Sequence, residues 1–280
     1  MTVTFWGVRG SFATSGAAFR QFGGNTTCIE IEAEGERVII DAGTGLRPLG
    51  EKLAAESRET GRPIRATMVF THLHWDHIQG FPFFGPAFNP ATQLTLFGPC
   101  EGALTLEGAL TRQMESPNFP VPLAAMRSAK QFHCIKDGDV LRVGAIEIRA
   151  RALCHPQGSL GYRFDAGGKS FCFATDTEHL SDTSVDEALL DLARGADLFA
   201  YDAQYTPDEY AGHGGPSRKG WGHSTYAAAV RAAKAAGAGR LGLIHHDPAH
   251  DDDFVNAIER AAQSLHEHAF ATREGLSLEC

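Results

Sequence analysis

The segment THLHWDHIQGF, Thr71–Phe81, sets His72, His74, Asp76 and His77 side by side directly after the apolar run ATMVF. His72 and His74 alternate in an extended stretch and project to the same side, whereas Asp76 and His77 fall where the chain turns. One segment thus offers two pairs of ligands, enough to serve two neighbouring cations. Imidazole nitrogen and carboxylate oxygen suit zinc, and also manganese or iron, and two-metal hydrolases hold their ions about 3.5–4 Å apart. A lone histidine in a polar turn is ordinarily solvated or hydrogen-bonded, but this density of ligand types is a rare chance event.

Further polar residues follow the carboxyl ends of other apolar runs: His155 after RALC, Asp176 after FCFAT, Asp202 after LFAY and His245 after RLGLI. Loops at strand ends gather side chains from distant positions into one cleft. Asp176 taken alone would read as a turn or helix-cap residue. On residue type alone His246 competes with His245, and His133 with His155, while His179 and His213 read as non-ligands.

The elements that must position these residues are legible as patterns. VTFWGV, CIEIEAE, RVIIDAG, ATMVFTH, QLTLFG and IEIRARAL read as strands, and RPLGEKLAAESR has the apolar spacing of an amphipathic helix. LGYRFDAGGKSFCFAT reads as a hairpin turning at Gly167–Gly168. From about Asp182 the pattern changes. Helical SVDEALLDLARG, STYAAAVRAAKAAG and DDFVNAIERAAQSLHEH alternate with short buried strands in ADLFAYDA and GRLGLIH. Two sheets flanked by helices are expected, and with no repeat or linker in sight, residues 1–280 are expected to form a single domain.

Composition narrows the classes. With 280 residues, 43% apolar, the chain can bury a substantial core, and a formal charge of −9 argues against a broad basic surface for extended nucleic acid. A local basic pocket for one phosphate stays compatible with that balance. The amino terminus has no basic stretch leading into an apolar one, and no run approaches the roughly 18 apolar residues of a membrane span. A soluble, cytoplasmic protein that does not engage membranes is expected. Cys28, Cys100, Cys134, Cys154, Cys172 and Cys280 are scattered without a C-x-x-C pair, so reduced cysteines are expected, with neither a disulfide framework nor a thiolate metal site.

HLHWDH, ALCHPQG, FATDTE and LIHHDP, in that order, resemble the metallo-β-lactamase superfamily of metallohydrolases, over essentially the whole chain. The resemblance implies an α/β fold, a four-layer αββα sandwich with two divalent metal ions at one edge, zinc first and manganese or iron as alternatives. It would make His72, His74 and His155 ligands of one ion, Asp76, His77 and His245 ligands of the other, and Asp176 the bridge. It also selects His245 over His246 and His155 over His133. A water shared by the ions, its pKa lowered toward neutrality, would be the nucleophile, oriented by Asp76.

GWGHSTYAAAVRAAKAAGAGRLGLIHH is similar to a segment of tRNase Z-like phosphodiesterases in which a histidine precedes a helix, which maps to His223. LFAYDAQY resembles the stretch carrying that histidine's glutamate partner, here the shorter Asp202. A carboxylate holding an imidazolium is a sensible general-acid pair for a departing alkoxide. The alternative makes His223 a surface residue at a helix end, where Ser224 would be the more natural cap.

The opening WGVRGSFATSGAAFRQFGGNTTCIEIE and the segment SPNFPVPL resemble a branch related to class III 3′,5′-cyclic-nucleotide phosphodiesterases. Asn25, Arg218 and Trp221 are the expected substrate contacts, the last two from the glycine-rich loop AGHGGPSRKGWGH, where a cation could meet phosphate and a ring could stack on a base. The plainer alternatives are tight turns at the glycines and Asn25, packing of Phe119 and Pro120, and a solvated loop.

The leading expectation is a dinuclear phosphodiesterase of 3′,5′-cyclic nucleotides or similar small phosphodiesters. Alternatives are a tRNase Z-like RNA 3′-end endonuclease, a lactone or ester hydrolase, and a metal-stabilised nucleotide-binding module. Nothing between His77 and His155 reads as a tRNA-gripping arm, and Cys100 to Lys130 carries only Arg112, Arg127 and Lys130 as basic residues. A homodimer is expected from the family and from the general frequency of two-fold assemblies.

Overall fold

The computed structural model describes residues 1–100 and 104–280. Its strands are β1 (Thr2–Gly7), β2 (Cys28–Ala33), β3 (Glu36–Ile40), β4 (Arg65–Val69), β5 (Gln93–Pro99), β6 (Ala129–Ile135) and β7 (Val140–Val143). The later strands are β8 (Ile146–Leu153), β9 (Ser159–Ala166), β10 (Lys169–Ala174), β11 (Leu198–Asp202), β12 (Arg240–Ile244), β13 (Ala269–Ala271) and β14 (Ser277–Glu279). They form two seven-stranded sheets, ordered β14-β1-β2-β3-β4-β5-β6 and β13-β12-β11-β10-β9-β8-β7. The helices are α1 (Leu46–Thr60), α2 (Trp75–Ile78), α3 (Leu106–Gln113), α4 (Glu187–Ala193), α5 (Pro207–Ala211), α6 (Tyr226–Ala236) and α7 (Asp252–Leu265).

Strand alternation explains the layering. In β3, Val38 and Ile40 join the layer between the sheets with Phe5, Ile148, Phe164 and Phe171, whereas Ile39 faces the other way, toward Leu46, Leu49 and Leu53 of α1. On the far side Phe199, Leu241 and Leu243 meet Leu189, Leu192, Ala229, Ala233 and Ile258 of α4, α6 and α7. The order helix, sheet, sheet, helix is the expected αββα sandwich.

Local chemistry sets the helix ends. α1 buries Leu46, Leu49 and Leu53 on one stripe and stops at Gly61, whose φ of 68° is the left-handed cap conformation glycine adopts freely. The Thr225 side chain accepts from Ala228 N–H to start α6, and Asp251 accepts from Phe254 N–H to start α7. Strands β3 to β6 pair in parallel, as do β10 to β13, so loops with polar residues leave the same end of neighbouring strands.

The expectation of six reduced cysteines is corrected. Cys100 and Cys134 are disulfide-bonded, with their Cα atoms 5.5 Å apart, while Cys28, Cys154, Cys172 and Cys280 are free. The parallel register of β5 with β6 sets Gly98 opposite Cys134 and brings Cys100, just past the strand, within reach. Thirty-four residues separate the two in sequence, so their spacing carries no sign of the pairing. Among the described residues no helix is long and apolar enough to cross a membrane.

Candidate metal centre and acid pair

The expected ligands converge. β4 leads into Thr71–His74 in extended form, and His74 (φ −63°, ψ 152°) opens α2, whose first turn carries Asp76 and His77. β8 delivers His155, β10 Asp176, β11 Asp202 and β12 His245. Donor atoms of His72, His74 and His155 lie within 4.8 Å of one another, as do those of Asp76, His77 and His245.

Asp176 stands between the two groups. Its Oδ1 is 3.7 Å from His72 Nε2 and 4.0 Å from His155 Nε2, and its Oδ2 is 3.2 Å from His77 Nε2 and 3.3 Å from His245 Nε2. Asp76 Oδ2 sits 3.3 Å from His77 Nε2 and 3.4 Å from His245 Nε2. His72 Nε2, His77 Nε2, His245 Nε2 and Asp176 Oδ2 are buried without a hydrogen-bond partner among the described residues. Orphaned polar atoms of this kind are strongly unfavourable in an interior unless something satisfies them. Four inward-facing acceptor-type atoms of nitrogen and oxygen fit divalent cations.

The rest of each ring is tied down. His77 Nδ1–H donates to Asp41 Oδ2 at 2.7 Å, His155 Nδ1–H to the Gly222 carbonyl at 2.9 Å, and His245 Nδ1–H to Gln204 Oε1 at 2.9 Å. His72 Nδ1–H donates to Thr71 Oγ1 at 3.0 Å, and that hydroxyl donates in turn to Asp41 at 2.8 Å. Such partners fix the tautomer that leaves Nε2 facing inward.

Ionisation within the cluster is mixed: burial opposes the His77 imidazolium, but Asp176 first, then Asp76 and Asp41, outweigh it and raise that imidazole well above its ordinary pKa. Burial holds the His72 and His155 imidazoles below their ordinary pKa, which keeps them neutral with lone pairs to offer. Burial works against the Asp76 and Asp176 carboxylates, but His77 and His245 beside them hold both well below the usual carboxylate range.

The backbone adds an independent sign. Ser11, Asp41, Gln157, Asp176 and His245 adopt left-handed φ of 60°, 58°, 67°, 53° and 66°, and among the described non-glycine residues only Glu34, in the β2–β3 turn, shares that conformation. Strained backbone concentrated in one place marks a functional site rather than a set of ordinary turns. Two glycines answer the crowding: a Cβ on Gly10 would lie 2.3 Å from His245 Nδ1, and one on Gly222 would lie 2.2 Å from His155 Nδ1.

His223 and Asp202 form the expected pair. His223 Nδ1–H donates to Asp202 Oδ2 at 2.9 Å, and the same Nδ1 is 3.9 Å from Asp176 Oδ1. Asp202 also accepts from the backbone N–H of Asp176, Ser224 and Gln204, so its carboxylate is firmly held. Burial pulls His223 down, but Asp202 first and then Asp176 and Asp76 outweigh it and raise its pKa to about 9.

The structure separates the competing histidines. His246 points away, Nε2 donating to the Thr272 carbonyl at 2.9 Å, and burial drives its pKa to about 3. His133 stacks on Phe97 in the edge strand β6, His179 hydrogen-bonds Ser224 Oγ and His213 faces Asp208.

The expected substrate contacts fare unevenly. Asn25 is not offered to the cleft: its backbone N–H and side-chain amide both bond Glu274, and its carbonyl accepts from Val8 and Arg9 N–H, so it is a turn-holding residue. The Arg218 guanidinium stacks 4.4 Å from the centre of the half-exposed Trp221 ring. Their loop is latched, because Glu178 accepts from Gly220 N–H, Gly222 N–H and Tyr210 O–H. A cleft of about 520 Å³ opens beside His72 and His74, lined by Leu73, Ile135 and Leu160 with Arg112 and Lys136.

Sequence reasoning missed Asp41, Gln204, Glu178 and Gln157. Asp41 ends the run RVIID, the same apolar-then-polar pattern that marked Asp176 and Asp202. No comparable signal attaches to the two glutamines.

Residues 36–246 match the family described as "Beta-lactamase superfamily domain", and the chain belongs to that family; it is a hydrolase of the metallo-β-lactamase fold. Ribonuclease Z of Myxococcus xanthus is 24% identical, with 97% of each chain covered. Among solved structures, the metallo-β-lactamase fold protein YhfI from Bacillus subtilis superposes with a TM-score of 0.72 at 18% identity, covering 99% of both chains. A diphosphatase from the PhnP family superposes with a TM-score of 0.69 at 18% identity, covering 100% of this chain and 97% of its own.

Proposed function

We propose that this chain is a two-metal phosphodiesterase acting on 3′,5′-cyclic nucleotides or similar small phosphodiesters. The observation that carries the reading is the position of Asp176, one oxygen toward His72 and His155 and the other toward His77 and His245, with the Asp202–His223 pair alongside. His72, His74 and His155 would hold one cation, Asp76, His77 and His245 the other, and Asp176 both. When bound, two cations, zinc first among the candidates, supply Lewis-acid polarisation of a phosphoryl oxygen and a water of lowered pKa.

The chain's own groups do the rest. Asp76, its Oδ2 fixed by Ser11 N–H at 2.8 Å, orients the attacking water. His223, held through Nδ1 by Asp202, presents Nε2 to donate a proton to the departing oxygen. A phosphodiester needs that acid because its alkoxide leaves poorly without a proton. The cleft beside His72 and His74 has a volume within the range of small-molecule sites, about 300–1,000 Å³, and on the separate loop the half-exposed Trp221 ring, with Arg218 against one face, offers the other for a base to stack on. We take residues 1–280 as one hydrolase domain, acting as a homodimer. RNA 3′-end processing is the second reading, favoured by the likeness to a Ribonuclease Z.

The test is to count metals in the purified protein and assay it side by side on bis-p-nitrophenyl phosphate, 3′,5′-cyclic AMP, 3′,5′-cyclic GMP and an unprocessed tRNA. Two metals with cyclic-nucleotide turnover are expected. Cleavage of tRNA alone would move the reading to RNA processing, and metal without phosphodiester turnover would overturn it.

A further inference from the structure

The ligand His155 opens a tight turn, His155-Pro156-Gln157-Gly158, closed by Gly158 N–H donating to the His155 carbonyl at 2.9 Å. Proline at the second position and a φ of 67° at the third, Gln157, mark a type II arrangement. That third position ordinarily belongs to glycine or asparagine, because a left-handed φ drives Cβ against the neighbouring carbonyl. A glycine does follow, at position 158 with φ 79°, one residue too late to relieve the strain. The chain therefore holds a long side chain where local physics favours none.

Among the described residues that side chain makes one hydrogen bond. Gln157 Oε1 accepts from His74 Nε2–H at 3.0 Å. The other nitrogen of the same ring, Nδ1, lies 3.2 Å from His155 Nε2, within the His72, His74 and His155 group. His74 thus differs from His72, His77, His155 and His245, which are anchored through Nδ1 and face inward through Nε2. An imidazole offers a lone pair at Nδ1 only when Nε2 carries the proton, so it needs an acceptor at Nε2.

We propose that Gln157 is a positioning residue that locks the tautomer and ring orientation of His74 for the cation shared with His72 and His155. The turn imposes the left-handed backbone at position 157, and glutamine is held there despite the strain. The inference rests on the two-metal reading above, and it concerns one group of ligands only.

Zinc alone, titrated into metal-free wild type, Gln157→Gly, Gln157→Asn and Gln157→Glu against a chromogenic chelator, tests it, together with thermal melts of the metal-free proteins. Gln157→Gly removes the strained Cβ, so it should melt no lower than wild type, yet bind one of its two zinc ions about 10- to 100-fold more weakly. Gln157→Asn tolerates the left-handed φ but is one methylene too short, and should show the same loss. Gln157→Glu restores the acceptor and should keep wild-type affinity. Two ions bound by the wild type with unchanged affinity in the Gly and Asn variants, or an equal loss in Gln157→Glu, would overturn the role of Gln157 alone. A wild type that binds fewer than two ions overturns the two-metal reading and this role with it.

Discussion

Replacing His223 by alanine separates proton donation from everything else the site does. His223 is buried, its Nδ1 bound to a carboxylate that accepts three further backbone N–H groups, so the ring is oriented before substrate arrives. General acid catalysis by such a group is worth about 10²- to 10⁴-fold, or about 3–5 kcal/mol of barrier. The loss should depend on the leaving group. A nucleoside phosphodiester, whose alkoxide must be protonated, should lose that whole factor in kcat, whereas bis-p-nitrophenyl phosphate, whose phenolate departs unprotonated, should lose less than about tenfold.

Asp202→Asn adds a pH readout with a defined sign. Burial lowers His223 and Asp202 foremost raises it, to about 9, so the imidazolium is present below that pH and lost as pH rises through it. Removing the Asp202 charge leaves burial less opposed, and the alkaline limb of nucleoside phosphodiester hydrolysis should move to lower pH by at least about one unit. Bound cations lower the pKa in both proteins and leave the direction of the difference intact. Equal losses on both substrates in His223→Ala with two metals retained, or an unmoved alkaline limb in Asp202→Asn, would refute the acid role.

Gly10→Ala would place a Cβ 2.3 Å from His245 Nδ1 and 2.4 Å from its Cε1, forcing the ring off its ligand position; a zinc titration should show about tenfold or greater weakening of one ion, and unchanged affinity would refute the contact. Asp41→Asn removes the buried charge that accepts from His77 Nδ1–H, Thr71 N–H and Thr71 O–H, and a urea midpoint should report a loss of about 1–3 kcal/mol. Glu209 is held at about 2 against burial by hydrogen bonds from His250 and Thr206, below its ordinary 4.5. Its stabilisation is therefore complete above pH 4.5 and fades as pH falls toward 2, so Glu209→Gln should flatten that acid limb in thermal melts taken across the same window.

How much of this was legible in the sequence depended on how local the causes were. The strands around Val38, Met68 and Phe199 announce themselves as short apolar runs because central strands are buried on both faces, and the stripe of α1 because burial of one helix face imposes a period of about four residues. Edge strand β6 and short β7 gave a weaker sign, since their side chains alternate mostly between exposed and half-buried. The residues expected to hold metal stood out because His72, His155, Asp176 and His245 each follow an apolar run, while their assignment to two ions came from the family resemblance.

The sequence alone determined which residue types could bind cations, and that they recur at strand ends. Only the tertiary structure decided which nitrogen of each ring faces inward and that Cys100 meets Cys134 across a parallel register; for His245 over His246, which the family resemblance had selected, it supplied the contact with Asp176. It also decided that Asn25 serves Glu274 and that Asp41, Gln204 and Gln157 hold the histidines in place. These are contacts between residues tens to hundreds of positions apart, and their geometry is set by sheet pairing and packing, which no local spacing encodes.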